Sequence, residues 1–202
     1  MMILYHAPRS RSSTIVALIH ELGATDRVEI RPVTIPRQDG SGGRDPLNPH
    51  PEGKVPYLVT PTGPVRERGA IVLSLCEAFP EAGLAPGPGE EGRGEFLSWL
   101  FYYQGVIEPV LVGQVMGVDH PVFRATFRGP AEMAETLQAA LEKGPYLMGE
   151  RFTAADLLVF SPFGWFPQIM PDVPVIRDWV ARVMARPSLQ KVAEWDEQLI
   201  AG

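Results

Sequence analysis

The 202-residue chain offers almost no sulfur chemistry. Its single cysteine, Cys76, excludes an internal disulfide framework and a cysteine-only metal site. One thiol fits a reducing compartment, and Cys76 falls mid-helix, where it reads as buried and inert. Long hydrophobic runs are missing too: no apolar stretch approaches the roughly 20 residues that cross a bilayer. Met1–His6 has no basic region ahead of an apolar one, so it reads as a strand and not as a secretory signal. Dense basic blocks are absent. Eighteen Lys and Arg stand against 24 Asp and Glu, for a net charge of −6, which argues against nucleic acid as a partner. The four histidines, His6, His20, His50 and His120, show no metal-ligand spacing, so no metal is expected. These absences leave a soluble, cytoplasmic protein.

What is present divides in two. Ile3–His6 reads as a short strand and Ala7–Arg11 as a turn. From Ser12 the period becomes helical, with Ile15, Val16, Leu18, Ile19 and Leu22 on one face and Gly23 as the stop. Val28–Ile35 reads as a second strand, at an edge or bent because of Pro32. Such a βαβ run points to a parallel pair with a crossover helix. Residues 36–54 form a long loop rich in Gly, Pro and charge, and long loops in compact domains tend to be functional or mobile. A strand from Val55, a tight turn at Thr62-Gly63, a strand over Val65–Glu67 and a helix over Ala70–Phe79 complete a ββα run. Residues 1–82 are therefore one domain and 83–94 a linker. Residues 95–202 show only helical patterns: a long helix over Glu95–Met116, bent near Pro109, then Pro130–Lys143, Thr153–Phe160, Val175–Ala185 and Ser188–Ile200. The fold class is α/β plus all-α.

Three stretches of the first domain carry chemistry. His50-Pro-Glu-Gly-Lys54-Val55-Pro56-Tyr-Leu58 resembles the Asn-Pro-x-Gly-Lys-Val-Pro-x-Leu segment of the soluble glutathione transferases, with His50 where Asn is usual. Alone, Val-Pro reads first as a proline opening a strand, a common placement. Eleven residues after Pro56 comes Glu67-Arg68-Gly69-Ala70-Ile71, similar to that family's Glu-Ser-x-Ala-Ile junction, with Arg68 in place of Ser. A helix N-terminus with a preceding carboxylate suits a ligand end that carries both a carboxylate and an ammonium. Alone, Glu67 reads as a solvated acid favoured by the helix dipole. The third stretch, Ala7-Pro8-Arg9-Ser10-Arg11-Ser12-Ser13, lies between the first strand and the first helix and contains no cysteine. That argues against dithiol exchange and cysteine-type chemistry there. The serines also suit helix capping, with Ser12 and Ser13 as the natural caps. In the helical region, Gly149–Asp156 resembles the family's Gly-x-x-x-Thr-x-Ala-Asp segment. There Thr153 and Asp156 have capping-box spacing, a structural role. Ala185–Ser188 resembles the family's C-terminal region.

The resemblance implies a thioredoxin-like first domain followed by a helical bundle, glutathione as co-substrate, a small hydrophobic electrophile as the second partner, and a homodimer. It implies a cis Val55–Pro56 bond that turns the Val55 backbone toward the cysteinyl unit of glutathione. Glu67 and the Arg68 amide would take the γ-glutamyl end, and Lys54 and Arg11 belong to the same site. Ser10 matches the serine-type classes, whose hydroxyl bonds to the glutathione sulfur; Ser12 is its runner-up, and Tyr5 a minor competitor. Tyr102 and Tyr103 lie on the helix that lines the electrophile pocket in the family. Isomerisation, peroxide reduction or dehalogenation through glutathione are further chemistries of the class. A non-catalytic interaction or regulatory protein on the same fold is the alternative.

Overall fold

The computed structural model describes residues 1–201. They form two compact units: residues 1–82 with the C-terminal helix from Pro187, and residues 83–186.

In the first unit a four-stranded sheet has the order β2-β1-β3-β4. β1 (Met2–His6) runs parallel to β2 (Val28–Pro32) and antiparallel to β3 (Tyr57–Thr60), which pairs antiparallel with β4 (Gly63–Val65). Pro32 ends an edge strand, where its missing N–H costs no ladder bond. Side chains alternate across β1. Leu4 and His6 are fully buried with α1 (Ser13–Glu21) and α2 (Arg68–Ala78), whose Ile15, Leu18, Ile19, Ile71 and Leu75 are equally sealed. Ile3 and Tyr5 point the other way, into a smaller cluster with Val33, Val55, Tyr57 and Val59. Gly23, at φ 63°, ends α1 in the left-handed conformation that glycine adopts without cost. This is the thioredoxin-like βαβ-ββα arrangement. The sequence reading placed the whole segment after residue 94 in one helical domain. The last helix, α9 (Pro187–Ala201), packs instead on α1, within the first unit.

The second unit is all helical. α3 (Arg93–Tyr102) passes through a π-helical turn, Tyr103–Ile107, into α4 (Glu108–Val115). The expected long helix with a bend near Pro109 is thus two helices, with the irregular turn upstream of the proline. A proline ring clashes with the carbonyl four residues back, here Gly105, and the wider π turn falls there. α5 (Pro121–Phe127) has no counterpart in the sequence reading, because it buries no residue and so carries no apolar stripe. It starts where His120 Nδ1 accepts the Val122 amide at 3.2 Å. α6 (Pro130–Leu141), α7 (Ala154–Trp165) and α8 (Pro174–Met184) complete the unit. Among the described residues no helix is long and apolar enough to cross a membrane, and no acid, histidine and cysteine cluster could hold a metal ion.

The Thr153/Asp156 capping box forms, and it does more than cap. Asp156 is fully buried and its two oxygens accept from four donors: the Thr153 amide (2.9 Å) and hydroxyl (3.0 Å), the Leu147 amide (2.8 Å) and Trp179 Nε1 (3.0 Å). One carboxylate therefore joins the start of α7, the chain before it and α8. Burial raises the Asp156 pKa and the four donors oppose that rise. Thr153→Ala is expected to cost about 1 kcal/mol, the usual size of a lost cap. Asp156→Ala strands buried N–H groups and is expected to cost more, about 3 kcal/mol or above. Denaturant midpoints measured side by side check the order; equal losses would show that the cap, and not the buried carboxylate, governs this unit.

Candidate functional site

The turn after β1 is where a thioredoxin-like sheet presents reactive groups, and here it is held by hydrogen bonds from four directions. Arg9 takes φ 50°, a left-handed conformation uncommon for a non-glycine residue. Its amide donates to Asp196 Oδ2 at 2.8 Å, and its guanidinium pairs with Glu197 on the surface. Arg37, from the long loop, donates to the carbonyls of Pro8 (2.6 Å) and Arg9 (3.2 Å). The loop is itself tied back, with Asp45 accepting the Thr34 amide and Arg44 donating to the Pro51 carbonyl.

The serines do not divide their work as the sequence suggests. Ser12 is the residue before α1, yet its hydroxyl makes no capping bond. That hydroxyl lies 2.8 Å from His6 Nδ1, 2.7 Å from Ser10 Oγ and 3.1 Å from the Ala7 amide, which donates to it. Ser10 Oγ accepts the Ser12 amide at 3.1 Å, so Ser10 closes the helix start. Ser13 donates to Asp196 Oδ2 at 2.7 Å. His6 Nε2 lies 2.9 Å from Asp196 Oδ1, and its ring stacks on Trp195 at 5.2 Å and 17°. Burial pushes the Asp196 pKa up, but the His6, Ser13 and Arg9 donors outweigh it, and the net shift is downward. His6 and Ser12 are fully buried, and Ser10 is half-buried. Acid, imidazole and hydroxyl stand in the order of a nucleophilic triad, but a sealed Ser12 cannot attack anything outside.

Neither His6 nor Asp196 stood out in the sequence. Alternation along β1 does place His6 on the buried face with Leu4, and a buried histidine needs polar partners. No spacing rule links it to a residue 190 positions away.

The second stretch behaves as its resemblance implies. The Val55–Pro56 bond is cis. Asn48 Oδ1 accepts the His50 amide (3.0 Å) and Asn48 Nδ2 donates to the Lys54 carbonyl (3.1 Å), bracing the turn before the proline. His50 is buried, sits edge-on to Tyr57 at 5.2 Å, and accepts the Glu52 amide on Nδ1 at 3.0 Å. It therefore acts as a turn-forming acceptor, which explains how histidine can stand where the family has Asn. Lys54 is exposed and pairs with Glu52. Its pKa is raised first by Glu52 and further by Glu67, and is opposed by Arg11. All three stretches thus lie within electrostatic reach of one another.

At the third, Glu67 precedes α2 with φ 66° and ψ 130°, a conformation rare for any side-chain-bearing residue, and its side chain does not cap the helix. Its carboxylate is exposed. Arg68 opens α2 and is buried, with 5% of its surface exposed. Tyr5 packs in the cluster on the opposite face of the sheet from His6, near Tyr57 at 6.3 Å and accepting from Arg31 at 3.4 Å. That face counts against it as a partner for Ser10. In the second unit, Tyr103 is 1% exposed and belongs to the core, not to a pocket wall. Tyr102 is half-buried, edge-on to Trp99. Cys76 is buried.

Residues 113–187 match the family described as glutathione S-transferase, C-terminal domain. GstA of Escherichia coli O157:H7 is 26% identical over 165 residues, 73% of this chain and 76% of its own length. An uncharacterized GST-like protein of Streptococcus mutans is 26% identical over 182 residues, 78% of this chain and 67% of its own length. A glutathione transferase from Methylococcus capsulatus superposes with a TM-score of 0.76 at 26% identity, covering 98% of this chain and 100% of that one. Together these similarities support a glutathione transferase superfamily protein. A sphingomonad glutathione S-transferase complexed with glutathione shares the fold at a TM-score of 0.74 and 23% identity. Fold and relatives together support a glutathione transferase-type function. Within the family pattern this transferase relative departs at His50, which the turn accommodates, and at Arg68, which is buried at a helix start.

Burial lowers the His50 pKa from 6.5, more than the nearby acids raise it. A lowered base favours the neutral ring in the folded state. The stability this contributes is complete above about pH 6.5, is lost as pH falls through the folded midpoint, and levels off below it. NMR titration of the His50 ring is expected to give a midpoint below 6.5, with the Glu52 amide shifting in parallel. A midpoint at or above 6.5 would mean that Nδ1 is not an acceptor in this turn.

Proposed function

We propose that the chain binds glutathione on its first unit, stabilises the thiolate, and adds it to a small hydrophobic electrophile in the cytoplasm. The observation that carries this reading is the Glu67–Arg68 junction. A non-glycine residue at φ 66° costs on the order of 1–3 kcal/mol and persists where surrounding structure or function requires it. At that junction an exposed carboxylate stands beside the first amides of α2. The γ-glutamyl ammonium goes to Glu67; its carboxylate goes to the helix N-terminus and the Arg68 amide. Val55 pairs with the cysteinyl backbone. Ser10 faces the sulfur, since Ser12 is sealed, and Arg11 and Lys54 add positive charge for a ligand that is anionic overall. Glutathione bound in the sphingomonad relative supports the same ligand here. A free thiol has a pKa of about 8.5, so lowering it and holding the two reactants together is the catalytic work. Isomerisation, peroxide reduction and dehalogenation remain chemistries the same thiolate could perform.

The second reading, a non-catalytic interaction protein, draws on Arg68, whose guanidinium replaces the small hydroxyl usual at the γ-glutamyl end. Glutathione binding separates the two. Calorimetry is expected to show binding by the parent chain and a loss of about 1.5–3 kcal/mol for Glu67→Ala, the size of a charge-assisted hydrogen bond. Unchanged affinity in the variant would remove Glu67 from the site. Ser10→Ala is expected to bind glutathione nearly as well while raising the pKa of the bound thiol.

We further propose a homodimer. Phe101, Val115 and Met116 are large apolar side chains on or beside α3 and α4 with more than two-thirds of their surface exposed, as expected of a surface that meets a partner. Light scattering at micromolar concentration is expected to give twice the chain mass; a monomer would contradict the assignment.

A further inference from the structure

We propose that His6 is the acceptor for the proton that bound glutathione loses, reached through the hydroxyls of Ser10 and Ser12 and oriented by Asp196. The inference rests on the reading that glutathione binds with its sulfur at Ser10.

A count of donors and acceptors carries it. Asp196 receives the Arg9 amide and the Ser13 hydroxyl on one oxygen and His6 Nε2 on the other. A carboxylate only accepts, so Nε2 must carry hydrogen. The state of the ring is then decided at Nδ1, 2.8 Å from Ser12 Oγ. Ser12 Oγ always accepts the Ala7 amide (3.1 Å), and Ser10 Oγ always accepts the Ser12 amide (3.1 Å). Each hydroxyl has one hydrogen and one further lone pair to place.

With His6 neutral, one arrangement satisfies every atom along the chain. Ser12 donates to Nδ1, and Ser10 donates to Ser12 across 2.7 Å. Ser10 then turns its remaining lone pair outward and has no hydrogen to offer a sulfur anion. With His6 cationic the chain reverses. Nδ1–H donates to Ser12, Ser12 donates to Ser10 at 2.7 Å in place of its longer 3.3 Å contact with the Ala7 carbonyl, and Ser10 donates outward. Both arrangements keep the same heavy atoms in the same places. The first suits a thiol, whose S–H can donate to Ser10. The second suits a thiolate, which needs a donor from Ser10.

The step between them balances. The glutathione S–H bond breaks and an O–H bond forms on Ser10. Ser10 passes its original hydrogen to Ser12, and Ser12 passes its own to His6 Nδ1. The products are a thiolate that accepts from Ser10 and an imidazolium bonded to the Asp196 carboxylate. When the thiolate is consumed, the proton returns outward along the same hydroxyls to the adduct, the leaving group or water. Asp196 keeps its charge, since its pKa is lowered. The His6 ring stacks on Trp195, a face that attracts cations. The other charges around the turn are the Arg9–Glu197 pair on the surface, the Arg37 guanidinium on the Pro8 and Arg9 carbonyls, and exposed Arg11. Among the described residues, Asp196 is the acidic group that bonds to His6. Ser12 and His6 are sealed from solvent, so a proton reaches the ring along the hydroxyls and not through bulk water.

The test uses the full chain with imidazole nitrogens labelled for NMR. Saturating glutathione at neutral pH is expected to move His6 Nδ1 from the unprotonated to the protonated range. S-methylglutathione, which fills the site without a thiol proton, is expected to leave it unprotonated. Ser12→Ala keeps Ser10 and His6 but cuts the path between them. It is expected to bind glutathione within about twofold of the parent and to hold about tenfold less thiolate at neutral pH, equivalent to one pKa unit, read by ultraviolet difference titration. Bound thiolate with His6 Nδ1 unchanged, or an unaltered thiol titration in Ser12→Ala, overturns the relay while leaving glutathione binding intact. Failure of the parent chain to bind glutathione in calorimetry overturns both readings together.

Discussion

The Asp196 carboxylate is the contact on which the arrangement of the first unit depends. It draws the side chain of β1's last residue, the backbone of the strained Arg9 and a hydroxyl from the first turn of α1 onto two oxygens of one residue in the last helix. Each of these groups is awkward by itself: a buried imidazole, an amide in a left-handed turn, and a hydroxyl beneath a helix start. Collected on one anion, all three are satisfied, and the turn that presents Ser10 is fixed from below. This is why α9 belongs with the sheet although all the other helices after residue 82 belong elsewhere.

A matching device operates in the second unit, where Asp156 gathers two amides, a hydroxyl and an indole. In both units a single buried carboxylate does what an apolar contact could not, because it fixes direction as well as proximity. The two differ in net effect. Burial wins at Asp156 and its pKa rises, while at Asp196 the donors, one of them an imidazole, win and the pKa falls.

The fold was largely readable because its signals are local. The change of period at Ser12, Gly23 after α1, and Val-Pro before β3 each mark a boundary within a few residues. The cis bond was legible through a motif that the family keeps together. What escaped was non-local or unpatterned. α5 buries nothing, so no periodicity announces it. The π turn before Pro109 is set by a clash that the sequence shows only as a proline. The spacing of Ser12 and Ser13 suits helix capping, whereas tertiary partners claim the Ser12 hydroxyl. His6 and Asp196 mean little until a fold spanning nearly the whole chain brings them to 2.9 Å.

That span also sets the order in which the molecule can be finished. Chains are made from the N-terminus, and domains tend to fold as they emerge. The strand ending in His6 is synthesised 190 residues ahead of Asp196. Until it arrives, the nascent sheet holds a buried imidazole with no acid beside it and a turn whose Arg9 amide has no acceptor. The turn after β1 is thus made early relative to the helix that completes it, and a chain released short of α9 would carry Ser10, Ser12 and His6 without the anion that holds this turn.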